Sequence, residues 1–209
     1  MDKHFRFSAI LLAISFSMLS FTTSISASER KINMNQHWKF YHGCIANAEQ
    51  PSFNDSGWRV LDIPHDWSVE PLPVQREGIT IGPFSRMSIG GPDTGQTVGG
   101  EGWYRKELIL QPGDTDKILS LYFEGAYNQT EVWINGQKAC FNAYGYIPFR
   151  IDINKYCNAP GIPNTIAVKV INEGLNSRWY AGSGIYRHVW LIKTDKVHLD
   201  EWDTFVDAS

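Results

Sequence analysis

Thr130-Glu131-Val132-Trp133-Ile134-Asn135-Gly136-Gln137-Lys138-Ala139-Cys140-Phe141 reads as two strands and the turn between them. Val132 and Ile134 recur at period two, which places them on one face of a strand. Asn135-Gly136 is the preferred pair for a tight type I′ turn, where both residues take positive φ, and residues 137–141 return as the second strand. The pattern extends in both directions. Leu119, Leu121 and Phe123 alternate within 117–124, Phe149, Ile151 and Ile153 in the following run, and Ile166, Val168 and Val170 within 165–171. Residues 103–110 open the series and close at Gln111-Pro112-Gly113-Asp114, while 185–192 reads as a last long strand. Apart from the N-terminal segment, no stretch holds a helical period over three turns. Short strands between turn signals predict an all-β chain folded as an antiparallel β-sandwich.

The N-terminus has a different character. Lys3, His4 and Arg6 precede an apolar run over 7–21, and small residues Ser24, Ser26, Ala27 and Ser28 follow. That order is the one of a secretory signal peptide, with cleavage near Ala27. The expectation is an exported protein, periplasmic or extracellular, with no membrane association after cleavage. About 180 residues remain, enough for one domain with a core. Residues 28–198 are assigned to that domain and 199–209 to the start of a linker.

A formal charge of −3 without a basic run argues against a nucleic-acid partner. The three cysteines, Cys44, Cys140 and Cys157, cannot form a complete disulfide framework, and buried free thiols are expected. A Cys140–Cys157 bridge stays open on spacing alone. The histidines are scattered and no Cys-x-x-Cys or His-x-x-x-His pair occurs, so no metal site and no cofactor is implied. Residues 71–102 carry four prolines and eight glycines, a segment too long for an ordinary connection, read here as an ordered excursion. Asn54-Asp55-Ser56 and Asn128-Gln129-Thr130 match the N-glycosylation pattern.

Ser177-Arg178-Trp179-Tyr180-Ala181-Gly182-Ser183-Gly184-Ile185-Tyr186-Arg187-His188-Val189-Trp190 gathers two arginines and four aromatics around a Gly-Ser-Gly turn. Planar rings beside guanidinium groups suit stacking and paired hydrogen bonds, which ring-shaped polar ligands use. The same cluster also serves to knit a loop to a sheet. The turn is expected to need positive φ at Gly182 or Gly184, so valine at either should cost more stability than alanine at Ser183.

This stretch resembles the end of the N-terminal sugar-binding domain of glycoside hydrolase family 2, the β-galactosidase family. Three further blocks fit in order: Phe53-Asn54-Asp55-Ser56-Gly57-Trp58 running into Ile63-Pro64-His65-Asp66-Trp67-Ser68; Gly99-Gly100-Glu101-Gly102-Trp103-Tyr104-Arg105-Lys106; and Phe123-Glu124-Gly125-Ala126-Tyr127 with Glu131-Val132-Trp133-Ile134-Asn135-Gly136. The resemblance sharpens the fold to a jelly-roll-like sandwich. It implies a catalytic barrel downstream, reached through an immunoglobulin-like domain, with both catalytic glutamates on that barrel. It also implies a carbohydrate of the β-galactoside type and the downstream domains of the same chain as partners.

Retaining glycoside hydrolysis needs two carboxyl groups about 5–5.5 Å apart, and nothing in the spacing of Asp66, Glu101, Glu124, Glu131, Asp152 or Glu173 selects such a pair. Gly182-Ser183-Gly184 lacks the nucleophile elbow, and no phosphate loop occurs. The chain itself is expected to be catalytically silent. By resemblance, Arg178, Asp66 and Trp67 belong to the sugar site. Arg178 presents five fixed donors that can satisfy two hydroxyls together, or it stacks on Trp179 or Tyr180. Asp66 either touches sugar or caps a turn while Trp67 covers the core edge. Arg187 alternates with Ile185 and Val189, which suggests a buried or interfacial structural pair rather than a ligand contact. Trp133 and Trp190 fall inside strands as core or sheet-face residues. The alternative function is a stand-alone secreted carbohydrate-binding, lectin-like module; a purely structural domain is the third reading.

Overall fold

The computed structural model describes residues 30–70, 80–81, 84–88, 92, 95–173, 182–199 and 205–207. Two antiparallel sheets make up the chain. The smaller runs in the spatial order β1 (Lys31–Asn33), β12 (Val189–Thr194), β7 (Ile118–Phe123), β10 (Phe149–Asp152). The larger runs β3 (Arg59–Leu61), β2 (Trp38–His42), β6 (Gly100–Ile109), β11 (Pro163–Asn172), β8 (Gln129–Ile134), β9 (Gln137–Asn142). β4 (Thr80–Ile81) and β5 (Phe84–Ser85) form a separate small hairpin inside the 71–102 excursion. Among the described residues there is no α-helix, only single 3-10 turns.

Alternation explains the sandwich. Leu119, Leu121 and Phe123 of β7 with Val189 and Leu191 of β12 pack against Val132, Ile134, Ile166, Val168 and Val170 of the larger sheet in one buried cluster. Each such side chain contributes about 1.5–3 kcal/mol by leaving water. The β8–β9 hairpin turns at Asn135 (φ 52°) and Gly136 (φ 78°), the positive pair that a type I′ turn requires. β11 is central, buried on its inward face and half-buried on its outward one. Its Ala167 turns outward and joins Ala48 and Trp103 in a second cluster, with Phe53, Trp58 and Trp133 against it. The segment 43–58 lies over this outer face and is fastened by Arg105, whose residue is only 4% exposed. Arg105 Nε donates to Asp55 Oδ2 at 2.8 Å, and Nη1 donates to the carbonyls of Ala48 and Gln50. Lys39 Nζ pairs with the other Asp55 oxygen at 2.5 Å.

Several expectations need correction. The last strand begins at Val189, not Ile185; residues 185–188 are irregular, although Ile185 is fully buried. Arg187 is exposed and lies over the Tyr186 ring, 5.6 Å from its centroid, so the buried form of the expected pair is not found among the described residues. Cys44 is an exposed thiol, whereas Cys140 and Cys157 are half-buried, and burial pushes the Cys157 thiol up to about 11. β1, β2 and β3 were absent from the sequence reading. Trp133 and Trp190 are sheet-face residues: Trp133 stacks on Trp103 at 5.3 Å, and Trp190 Nε1 donates to Glu124 Oε1. Residues 1–27, read as a signal peptide, lie outside the described residues.

Candidate functional site

The block 63–68 and the 182–184 turn meet although more than a hundred residues separate them. His65 N donates to the Ile185 carbonyl (2.8 Å) and Trp67 N to the Ser183 carbonyl (3.0 Å), as neighbouring strands would. Asp66 closes the contact. Its extended backbone (φ −137°) N-caps the 3-10 turn Trp67–Val69, and Oδ1 accepts from Ser68 N (2.8 Å) and Ser183 N (2.7 Å). This is the capping role open in the sequence, extended to a second, distant chain segment. Among the described residues Oδ2 accepts no hydrogen bond, and Asp66 is half-buried.

The glycines follow from this closeness. A Cβ on Gly182 would lie 2.1 Å from Asp66 Oδ2, so only glycine admits the carboxylate. Gly184 has φ +124°, and a Cβ there would lie 2.3 Å from Tyr104 Oη and 2.7 Å from the His65 carbonyl. On the far side, Gly184 pairs with Tyr127 through two backbone hydrogen bonds of 2.9 Å.

Beneath the turn runs a buried polar chain that sequence reasoning missed. Asn172 Nδ2 donates to Ser183 Oγ at 2.6 Å, Ser183 and Ser68 share a hydroxyl–hydroxyl bond, and Ser68 Oγ donates to the Val98 carbonyl at 3.0 Å. Each hydroxyl carries one proton, so the direction is Asn172 to Ser183 to Ser68 to Val98. All three side-chain donors belong to buried residues, which is why each needs a partner. The chain joins the end of β11, the turn, the 63–68 block and the return of the 71–102 excursion. Serine and asparagine at these separations give no local sequence signal.

Trp67 is a core group, 3% exposed. Its ring stacks on Phe40 (5.8 Å, 27°), lies against the α-carbon of Gly102, and donates from Nε1 to the Gly99 carbonyl at 3.1 Å. Its part in the site is to hold Asp66 at the surface. Arg178, with Trp179 and Tyr180, lies outside the described residues.

Beside Asp66, His65 joins a second network. Tyr104 Oη and His65 Nδ1 are 2.7 Å apart, and His65 Nε2 and Glu70 Oε1 2.9 Å; Arg59 also binds Glu70. Arg59 Nη2 also lies 3.1 Å from His65 Nε2; a neutral ring with its proton on Nε2 donates to Glu70 and accepts from the Tyr104 phenol at Nδ1. Burial pushes the His65 pKa down from 6.5, more than the adjoining Glu70 carboxylate restores, and burial pushes Tyr104 well up. A histidine whose folded pKa is depressed contributes stability that is complete above the unfolded value and is lost as pH falls through it. Wild-type stability is therefore expected to drop between about pH 7 and pH 5 more steeply than that of His65→Gln. Parallel curves from denaturant titrations at each pH would remove His65 from the balance.

The site leaves one Asp66 carboxylate oxygen, packed beside Gly182, without a hydrogen bond from the described residues. Comparison with known proteins identifies the family. The model of the glycosyl hydrolases family 2 sugar binding domain matches residues 59–195. The β-galactosidase BoGH2A of Bacteroides ovatus is 41% identical over 189 residues, covering 90% of this chain and 21% of that protein. A β-glucuronidase of Formosa agariphila is 30% identical, covering 85% of this chain and 18% of its own length. A solved glycosyl hydrolase family 2 member from Bacteroides cellulosilyticus superposes with TM-score 0.78 at 40% identity, over 86% of this chain and 22% of that one. The chain thus spans about a fifth of the length of these relatives. With a sandwich of this topology and a family match over most of its length, the chain belongs to glycoside hydrolase family 2 and comprises its N-terminal sugar-binding domain.

Proposed function

We infer that this chain is the sugar-binding and scaffolding unit of an exported β-glycosidase of the β-galactosidase class, without catalytic power of its own. The observation that carries the reading is the Asp66–Ser183 clamp. It fixes a carboxylate oxygen that takes no hydrogen bond from the described residues at the point where the sequence after Arg178 rejoins the sandwich at Gly182. Asp66 accepts one sugar hydroxyl and Arg178 donates to a pair of them, while the catalytic carboxylates come from further domains of a longer chain. The charged, apolar and small-residue order of 1–27 supports export.

Two measurements test this. The purified chain should release no aryl alcohol from aryl β-galactosides above buffer; robust turnover would refute the non-catalytic role. In a full-length enzyme carrying this domain, Arg178→Lys keeps the charge and most of the apolar stem but loses the paired donors. The loss of hydrogen bonds from a charged group, about 1.5–3 kcal/mol, should lower kcat/KM roughly ten- to more than a hundredfold with an unchanged melting temperature. Wild-type kinetics would return Arg178 to a structural role.

A further inference from the structure

Far from Asp66, a cavity of about 370 Å³ opens between the 43–58 segment and the outer face of the larger sheet. Lys39, Phe53, Asp55, Arg105, Glu107 and Thr165 line it. Thr165 and Asn172, the β11 residue that binds Ser183, are seven positions apart on one strand, so about 23 Å separates the cavity from the Asp66 clamp.

The lining groups differ in what they have left to offer. Asp55 is used up by Lys39 and Arg105 and offsets one of their two charges, and Lys106, which also lines the cavity, donates to the Gln36 carbonyl. Arg105 spends Nε on Asp55 and Nη1 on two carbonyls, so its plane is locked, yet Nη2 has no acceptor among the described residues and is not sealed from solvent. The Glu107 carboxylate and the Thr165 hydroxyl also have no side-chain partner among the described residues. Phe53 supplies an apolar wall, itself held by Trp58 at 5.5 Å. A rigid donor edge, an open acceptor, a hydroxyl and an aromatic wall in one concavity match a ring with an apolar C–H face and a rim of hydroxyls. The mixture of donors and acceptors suits a hydroxylated ring, and the exposed Glu107 carboxylate in the lining disfavours an anion.

We propose that this cavity binds a neutral sugar ring, as a second carbohydrate site independent of the Asp66 clamp. The ring lies against Phe53, two hydroxyls meet Arg105 Nη2 and Glu107, and Thr165 takes a third. Such a site would keep the domain on a glycan while another part of that glycan is processed.

Two-dimensional NMR of the chain titrated with D-galactose and with D-glucose tests it. Saturable shifts are expected at Phe53, Arg105 and Thr165, with a dissociation constant on the order of 1–10 mM for at least one of the sugars. Asp66→Asn should leave these shifts unchanged, and Phe53→Ala should weaken binding about tenfold. Because Phe53 also belongs to the outer cluster, Thr165→Phe gives a second arm. It fills the cavity from a strand position that accommodates aromatics, and should abolish the shifts while the spectrum stays dispersed. No shifts in the folded wild-type chain, shifts that follow Asp66 and Gly182 instead, or full binding in Thr165→Phe would each overturn the proposal. The Arg178→Lys kinetics are unaffected by any of these outcomes, so the two readings fail separately.

Discussion

Gly184→Val should lower the melting temperature of the chain by roughly 8–16 °C, the shift that about 4 kcal/mol produces in a domain of this size. Two independent costs combine. The backbone at φ +124° is closed to a β-branched residue, a strain of about 1–3 kcal/mol. The new Cβ also falls 2.3 Å from Tyr104 Oη and 2.7 Å from the His65 carbonyl, a collision with a buried ring and with backbone, for about 1–3 kcal/mol more. Neither neighbour is the end of a flexible side chain. Movement of Tyr104 would break its contact with His65, so the damage should spread along that network. Gly182→Val should be comparably harmful, since its Cβ meets Asp66 Oδ2 at 2.1 Å. Ser183→Ala, which looks innocuous on a turn, removes a fully buried hydroxyl that accepts from Asn172 and donates to Ser68, and should cost about 1–3 kcal/mol. The order of the three variants is the test. Equal melting temperatures for Gly184→Val and wild type would show that the turn carries no constraint.

Asp55→Ala is expected to cost about 3 kcal/mol, the lower end of the range for breaking a buried ion pair, because the Asp55 side chain keeps 18% exposure. The loss comes mainly from what remains. Arg105 stays 4% exposed on two carbonyls with its counter-charge gone, and Lys39 loses its partner. The 43–58 segment should loosen from Trp103 and Ala167, lowering the denaturant midpoint without a change in slope. The same pair sets an acid limit. Burial pushes the Asp55 carboxyl up, but the hydrogen bonds from Lys39 and Arg105 outweigh it and hold the carboxyl below its ordinary value. A carboxylate depressed in the folded state contributes stability that is complete above the unfolded value, about 3.9, and is lost as pH falls through the folded one. The difference between wild type and Asp55→Ala should shrink on acidification below about pH 4. A gap that persists at pH 2 would mean that Asp55 acts through packing or its backbone and not through its charge.

Much of the fold was legible because it rests on period-two alternation and one turn pair. β7, β8, β9 and β11 emerged within a residue or two of their observed bounds, since each has a half-buried or fully buried face that marks its own pattern. β2 was missed although Trp38 and Phe40 point inward on alternate positions, because five residues with polar or aromatic neighbours give little contrast. The stretch 185–188 was misread for the converse reason. Ile185 is buried, but as the tip of a loop held by Gly184 and by its carbonyl on His65, and burial without a ladder imitates a strand. The site was legible only as composition. Asp66 and the glycines could be singled out as special, but their meeting depends on contacts across 117 residues, which no local pattern encodes. The hydroxyl chain through Ser183 and Ser68 was invisible for the same reason.

That chain of hydroxyls has a consequence for how the domain can diversify. It ties Asn172 at one root of the 173–181 segment to Ser183 at the other, and Ser68 to Val98 where the 71–102 excursion returns. With the roots pinned, the entropy of closing either segment depends only weakly on its length, about 0.6 kcal/mol for each doubling. Both segments can accept insertions, deletions or grafted sequence while the sandwich beneath keeps the same geometry. The length and sequence of the two inserts can then change on an unchanged socket, with no repacking of the β-core.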